Sequence, residues 1–138
     1  MNTQKYFFSV LLFNFIIFGN VFGQSTPSTP VLLSPSNGAT VVPNPLLDWN
    51  DVETATHYRV QVSTVADFST TVIDQVSLTQ SQYQVPEGVL SDFSIYYWRA
   101  RAKNLVGWGP WASAWSFTTT IAPPPTPVLL SPPNGSTV

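Results

Sequence analysis

Between residues 29 and 120 the apolar side chains fall on every second position, in short runs bounded by proline, glycine or asparagine. That period belongs to strands with one buried face, because successive side chains of a strand point to opposite sides. Tyr58, Val60 and Val62 alternate with His57, Arg59 and Gln61. Tyr96, Trp98, Ala100 and Ala102 alternate in the same way with Tyr97, Arg99, Arg101 and Lys103. Leu47 and Trp49 flank Asp48, Trp115 shares a phase with Phe117, and weaker runs cover 71–76 and 81–85. With 31–33 opening the segment, seven short strands are predicted: 31–33, 47–49, 57–62, 71–76, 81–85, 96–103 and 114–119. Ser36-Asn37-Gly38 and Pro86-Glu87-Gly88 supply turn chemistry between them. Thirteen prolines in 138 residues work against long helices, since each fixes φ and removes a backbone donor. Strands that are apolar on one face must pair their faces, so an all-β sandwich is expected. Its predicted core is Leu47, Trp49, Tyr58, Val60, Val62, Tyr83, Leu90, Tyr96, Trp98 and Phe117.

The flanks carry a different kind of information. Lys5 precedes an apolar run from Tyr6 to Phe18, and small or β-branched residues lead to Gly23. The run is shorter than the roughly 20 residues of a membrane-spanning helix, so residues 1–23 are predicted to be a cleaved export signal. Export followed by cleavage implies a secreted or cell-surface location with no stable membrane span. Thr29 to Val41 then recurs at Thr126 to Val138, with eleven of thirteen residues identical at an offset of 97. That spacing fits one sandwich domain plus a connector. Residues 24–28 are expected as a polar lead-in, 29–120 as the domain and 121–125 as a proline-rich linker. Residues 126–138 are expected as the first strand of a second, truncated repeat. Pro123-Pro124-Pro125 favours an extended, semi-rigid spacer.

Composition removes several function classes. The absence of cysteine excludes disulfides, thiolate metal sites and cysteine nucleophiles. Five Lys plus Arg and a net charge of -2 give no basic field for nucleic acid. His57 is the only histidine and lies on the polar phase of its strand, without convergent partners for a triad or a metal. Asp48-Trp49-Asn50-Asp51 has a calcium-loop flavour but lacks that motif's glycine and distant glutamate, and turn chemistry explains it. No phosphate loop or serine elbow is present. No enzyme activity, cofactor or metal is expected. The distinctive surface is aromatic: Arg59, Arg99 and Arg101 share one outer face with Lys103, near Trp108 and Trp111. Such pairs stack on glycans or peptides through cation–π contacts, or the arginine stems simply cover the indoles.

Several of these motifs, in this order, resemble the fibronectin type III family. Leu47-Asp48-Trp49 after Pro43-Asn44-Pro45 is similar to that family's second strand with its core tryptophan. Leu90 and Tyr96 match its leucine and tyrosine-corner spacing. Tyr96 to Gly107 resembles its sixth strand and following loop. The resemblance covers about residues 29–120. It implies a seven-stranded antiparallel immunoglobulin-like β-sandwich of fibronectin type III type, with the first, second and fifth strands in one sheet. It implies spacing, adhesion or docking, with neighbouring repeats of the same chain, or an extracellular protein or glycan, as partners. An accessory place beside a secreted hydrolase is a further possibility of the same kind. Two departures narrow this. Leu105-Val106-Gly107-Trp108-Gly109-Pro110 stands where integrin-binding members carry Arg-Gly-Asp. In Trp111-Ala112-Ser113-Ala114-Trp115-Ser116 the tryptophans are four apart, where cytokine receptors space them by three.

Overall fold

A computed structural model of the chain describes residues 23–121, 124–128 and 135. The apolar run of the expected export signal, and most of the strand predicted for a second repeat, lie outside them. Eight strands follow in order: β1 (Leu32–Ser34), β2 (Ala39–Val41), β3 (Leu46–Trp49), β4 (His57–Ser63), β5 (Ile73–Leu78), β6 (Gln82–Gln84), β7 (Ile95–Lys103) and β8 (Trp115–Thr119). They form a three-stranded sheet, β1-β3-β6, and a five-stranded sheet, β2-β8-β7-β4-β5. The first sheet unites the first, second and fifth of the strands expected from sequence, as the resemblance implied.

β2 is the addition. Seven strands were expected, all antiparallel, but Ala39, Thr40 and Val41 pair in parallel with Phe117, Thr118 and Thr119. Asn37 makes this pairing possible. Its side-chain carbonyl accepts from the Ser116 amide at 2.9 Å, while Gly38 donates its own amide to the Ser116 carbonyl. Gly38 has φ +79°, a left-handed conformation that glycine adopts without steric cost. The chain therefore crosses from one sheet to the other between β1 and β2.

Between the sheets the alternation holds as the sequence implied. Leu47, Trp49, Tyr58, Val60, Val62, Leu90, Tyr96, Trp98 and Phe117 are all buried, and Tyr83 packs partly buried against them. Leu32, Val52, Ile73, Val85, Ala100, Ala102 and Ala112 complete the cluster. Trp49 meets Tyr58 edge-on at 5.7 Å, a geometry that aromatic quadrupoles favour. Both tyrosines place their hydroxyls usefully as well. The Tyr58 oxygen accepts from the Val52 amide at 2.9 Å, and the Tyr96 oxygen accepts from the Ser91 amide at 2.9 Å. The second bond closes the corner implied by the spacing of Leu90 and Tyr96. Thr119 is fully buried although polar, because its hydroxyl donates to the Ser91 carbonyl at 2.6 Å and accepts from the Ser94 amide at 3.0 Å.

The segments that enter and leave the sandwich lie at opposite poles. Residues 24–30 lie with the β3–β4 and β7–β8 loops at one pole. Thr120 leaves the other, bonded to the Val41 carbonyl, and Thr119 is paired there with Ser94. The lead-in, expected as a simple connector, is seated. Pro27 is buried, and Asn104 donates its side-chain amide to the Ser25 carbonyl at 2.8 Å. No helix among the described residues is long and apolar enough to cross a membrane.

Candidate functional site

The long strand β7 projects Arg99, Arg101 and Lys103 from one face while Trp98, Ala100 and Ala102 turn into the core. β4 lies beside it in register, with Gln61 opposite Arg99, Arg59 opposite Arg101, and His57 opposite Lys103. The segment after β7 folds back along this face. Gly109 donates to the Ala102 carbonyl and Ala112 to the Ala100 carbonyl, which lays Trp108 and Trp111 over the arginines.

A continuous stack results. The Arg99 guanidinium lies 4.0 Å from the Phe68 ring centroid and 4.3 Å from that of Trp111. Arg101 follows at 4.4 Å from Trp111 and 4.6 Å from Trp108. Lys103 ends the series 5.5 Å from Trp108. Arg59 reaches Trp111 at 5.7 Å. The five residues predicted as a candidate ligand surface, Arg59, Arg99, Arg101, Trp108 and Trp111, are thus brought together. Trp115, in contrast, packs against the core and meets Trp98 edge-on.

Polar partners complete the stack. Arg59 forms a two-point pair with Asp74, Nε to Oδ1 at 2.7 Å and Nη2 to Oδ2 at 2.5 Å. Gln61 donates to the same carboxylate at 3.0 Å and accepts from Arg99 Nε and Nη2. Arg101 Nε is buried without an oxygen partner among the described residues and is held between two indole faces. Burial, and then repulsion from Arg59, lowers the pKa of both Arg99 and Arg101. The hydrogen bond to Asp74 raises that of Arg59.

Sequence reasoning missed Phe68. It follows Asp67, whose carboxylate accepts from the Ser69 amide at 2.9 Å, and its φ is +57°. A bulky side chain in that conformation is strained, and the Arg99 stack is what it gains. A lone aromatic in a polar turn carries no periodicity, so nothing in the sequence marks it. His57 is half-buried and its Nδ1 lies 3.0 Å from the Thr56 hydroxyl. Asn50 accepts from the Val31 amide and donates to the Asp51 carbonyl, so this part of the acidic run ties β1 to β3. Among the described residues no three His, Cys, Asp or Glu side chains converge on a metal position.

Asp74 gives the stack a pH signature. The hydrogen bond from Arg59 holds its carboxyl below the ordinary value of 3.8. A carboxylate shifted down in the folded state adds stability that is complete above the unfolded value and fades as pH falls toward the folded one. Urea midpoints measured from about pH 5 down to about pH 2 should therefore decline, and Asp74→Asn should flatten that slope while lowering the neutral-pH midpoint. An unchanged slope in the variant would remove Asp74 from the explanation.

No family model matches the sequence, and no curated protein matches it. Solved structures do. The crystal structure of FN3tt matches with a TM-score of 0.54 at 23% identity, over 70% of this chain and 98% of that one. The sixth fibronectin type III domain of human fibronectin type III domain containing protein 3 matches with a TM-score of 0.52 at 21% identity, over 77% and 97%. A β-1,2-glucanase from Parabacteroides distasonis matches with a TM-score of 0.52 at 20% identity, over 70% of this chain but 13% of the enzyme. At such identities the likeness is one of fold. The fold is therefore fibronectin type III-like.

Proposed function

We propose that this domain is a non-catalytic spacer and interaction module of an exported multidomain protein, with neighbouring repeats of its own chain as partners. The observation that supports this is the closed outer face. Each stacked arginine lies against an aromatic ring of its own chain, Arg59 and Arg99 are also hydrogen-bonded, and the indoles are half-buried between cations. A glycan or peptide arriving at this face has to displace those contacts before making its own, which offsets the 0.5–2 kcal/mol each stacking contact provides. Glycan and peptide arrays probed with the purified protein and with Trp108→Ala should show no retention by either. Retention by the wild type that Trp108→Ala abolishes would overturn the spacer reading in favour of an adhesin surface.

A second reading has one specific support. The glucanase carries this fold in about an eighth of its length, matched over 13%, so an accessory place beside a secreted hydrolase is open to this module too. The coding sequence downstream of Val138 decides between them, since a glycosidase domain there would make the module accessory to it.

A further inference from the structure

Asn37 is followed by Gly38, and both are exposed. In such a pair the glycine nitrogen can attack the asparagine side chain, because no β-carbon shields it. A bond forms between the Gly38 nitrogen and Asn37 Cγ. The side-chain nitrogen leaves as ammonia, carrying away the proton that the backbone nitrogen gives up. Water then opens the five-membered imide at either carbonyl, giving aspartate or isoaspartate. Space is no obstacle, since a Cβ built on Gly38 would meet nothing within 4 Å.

The fold engages both reacting groups. The Gly38 N–H donates to the Ser116 carbonyl at 2.7 Å. The Asn37 side-chain carbonyl accepts from the Ser116 amide at 2.9 Å and from its hydroxyl at 3.3 Å. Attack therefore requires the Gly38 nitrogen to leave Ser116 and turn toward Cγ. What resists that turn is β2, three residues long and at the edge of its sheet. Val41 anchors it, packed partly buried against the core and accepting from the Thr120 amide at 2.8 Å. A strand so short and so exposed opens locally, without unfolding of the rest.

We infer that Asn37-Gly38 is a latent deamidation site that the β2–β8 pairing keeps closed, and that its conversion to isoaspartate detaches β2 irreversibly. In isoaspartate the former side-chain carbonyl and the Gly38 N–H belong to one peptide unit. Such a unit is planar and trans, with its N–H and C=O pointing opposite ways. The two groups that now clasp Ser116 cannot then both reach it. The main chain is also longer by a methylene just before the strand, which shifts β2 against its partners on β8, residues 117–119. β8 becomes an uncovered edge with free backbone groups, the kind of edge that pairs with another chain. One opening of β2, once captured chemically, is thus made permanent.

The test follows residue 37 by peptide mapping in the full chain, incubated at mildly alkaline pH both folded and unfolded in guanidinium chloride. Conversion in the folded chain should be slower by at least about tenfold, the protection that a locally opening strand provides. Val41→Asp removes the anchor of β2 and leaves Asn37, Gly38 and Ser116 in place, and it should raise the folded rate severalfold. Cooperative urea unfolding checks that the variant folds, and Val41→Ala serves where it does not. In the isoaspartate product, hydrogen exchange should show Gly38 and Thr120 unprotected while β4 and β7 stay protected. Equal rates in folded and unfolded protein overturn the inference. A slow rate unchanged by loss of the Val41 anchor overturns it as well, as does a product whose Gly38 amide keeps its protection.

Discussion

Trp98→Ala is expected to lower the stability of the protein more than any other single truncation, with a sharp drop in its urea midpoint at neutral pH and ambient temperature. Trp98 is fully buried at the centre of the larger sheet, opposite Val62 on β4 and Trp115 on β8. Its indole also meets the Trp115 ring edge-on at 6.4 Å. Truncating it removes one of the two largest fully buried side chains and leaves a cavity that the surrounding core fills only by moving. Such changes cost about 3–5 kcal/mol, against a total stability of about 5–15 kcal/mol for a domain. Urea unfolding followed by far-ultraviolet circular dichroism should show the midpoint collapse, with Trp98→Phe intermediate. A shift of under about 1 kcal/mol would mean the sandwich interior is not where the alternation puts it.

The second large effect belongs to a polar residue. Asn104 is 6% exposed and links three segments. Its carbonyl accepts from the Val106 amide at 2.9 Å and the Gly107 amide at 3.3 Å, and its amide donates to Ser25. Asn104→Ala removes the partner of all three backbone groups, at about 1–3 kcal/mol for each one that water does not reach. A net loss of about 2–3 kcal/mol is expected. Hydrogen exchange should report it locally, with the Val106 and Gly107 amides losing protection well before β7 does. Asn104→Asp keeps the acceptor and should retain those two amides while releasing the lead-in. Uniform loss of protection across the whole domain would contradict this local role.

How much of this was legible in the sequence depended on how each residue makes its contacts. Tyr58, Val60 and Val62, and Tyr96 through Ala102, announced themselves because burial on one face imposes a period of two. The outer face was equally readable: Arg59, Arg99 and Arg101 occupy the complementary phase of the same strands. β2 was not, because Ala39, Thr40 and Val41 make too short a run to show a period. Its pairing depends on Asn37 and Gly38, residues that a turn explains equally well. Phe68 was silent because a strained loop conformation leaves no pattern. The seating of Ser25 and Pro27 escaped notice for another reason. It uses main-chain carbonyls, which leave no mark on the sequence. Thr119 looked like a polar strand end, yet its buried hydroxyl bridges Ser91 and Ser94.

The central claim is that the arginine–tryptophan stack holds the domain together and is not kept open for a ligand. A double-mutant cycle on Arg101 and Trp108, read by urea unfolding of the single and paired alanine variants, tests this most directly. The account predicts that the two losses fall short of adding by about 0.5–2 kcal/mol, the energy of a desolvated cation on an indole face. Strict additivity would show that the two side chains contribute nothing to each other in the folded protein, and the stack would then have no structural role to explain it.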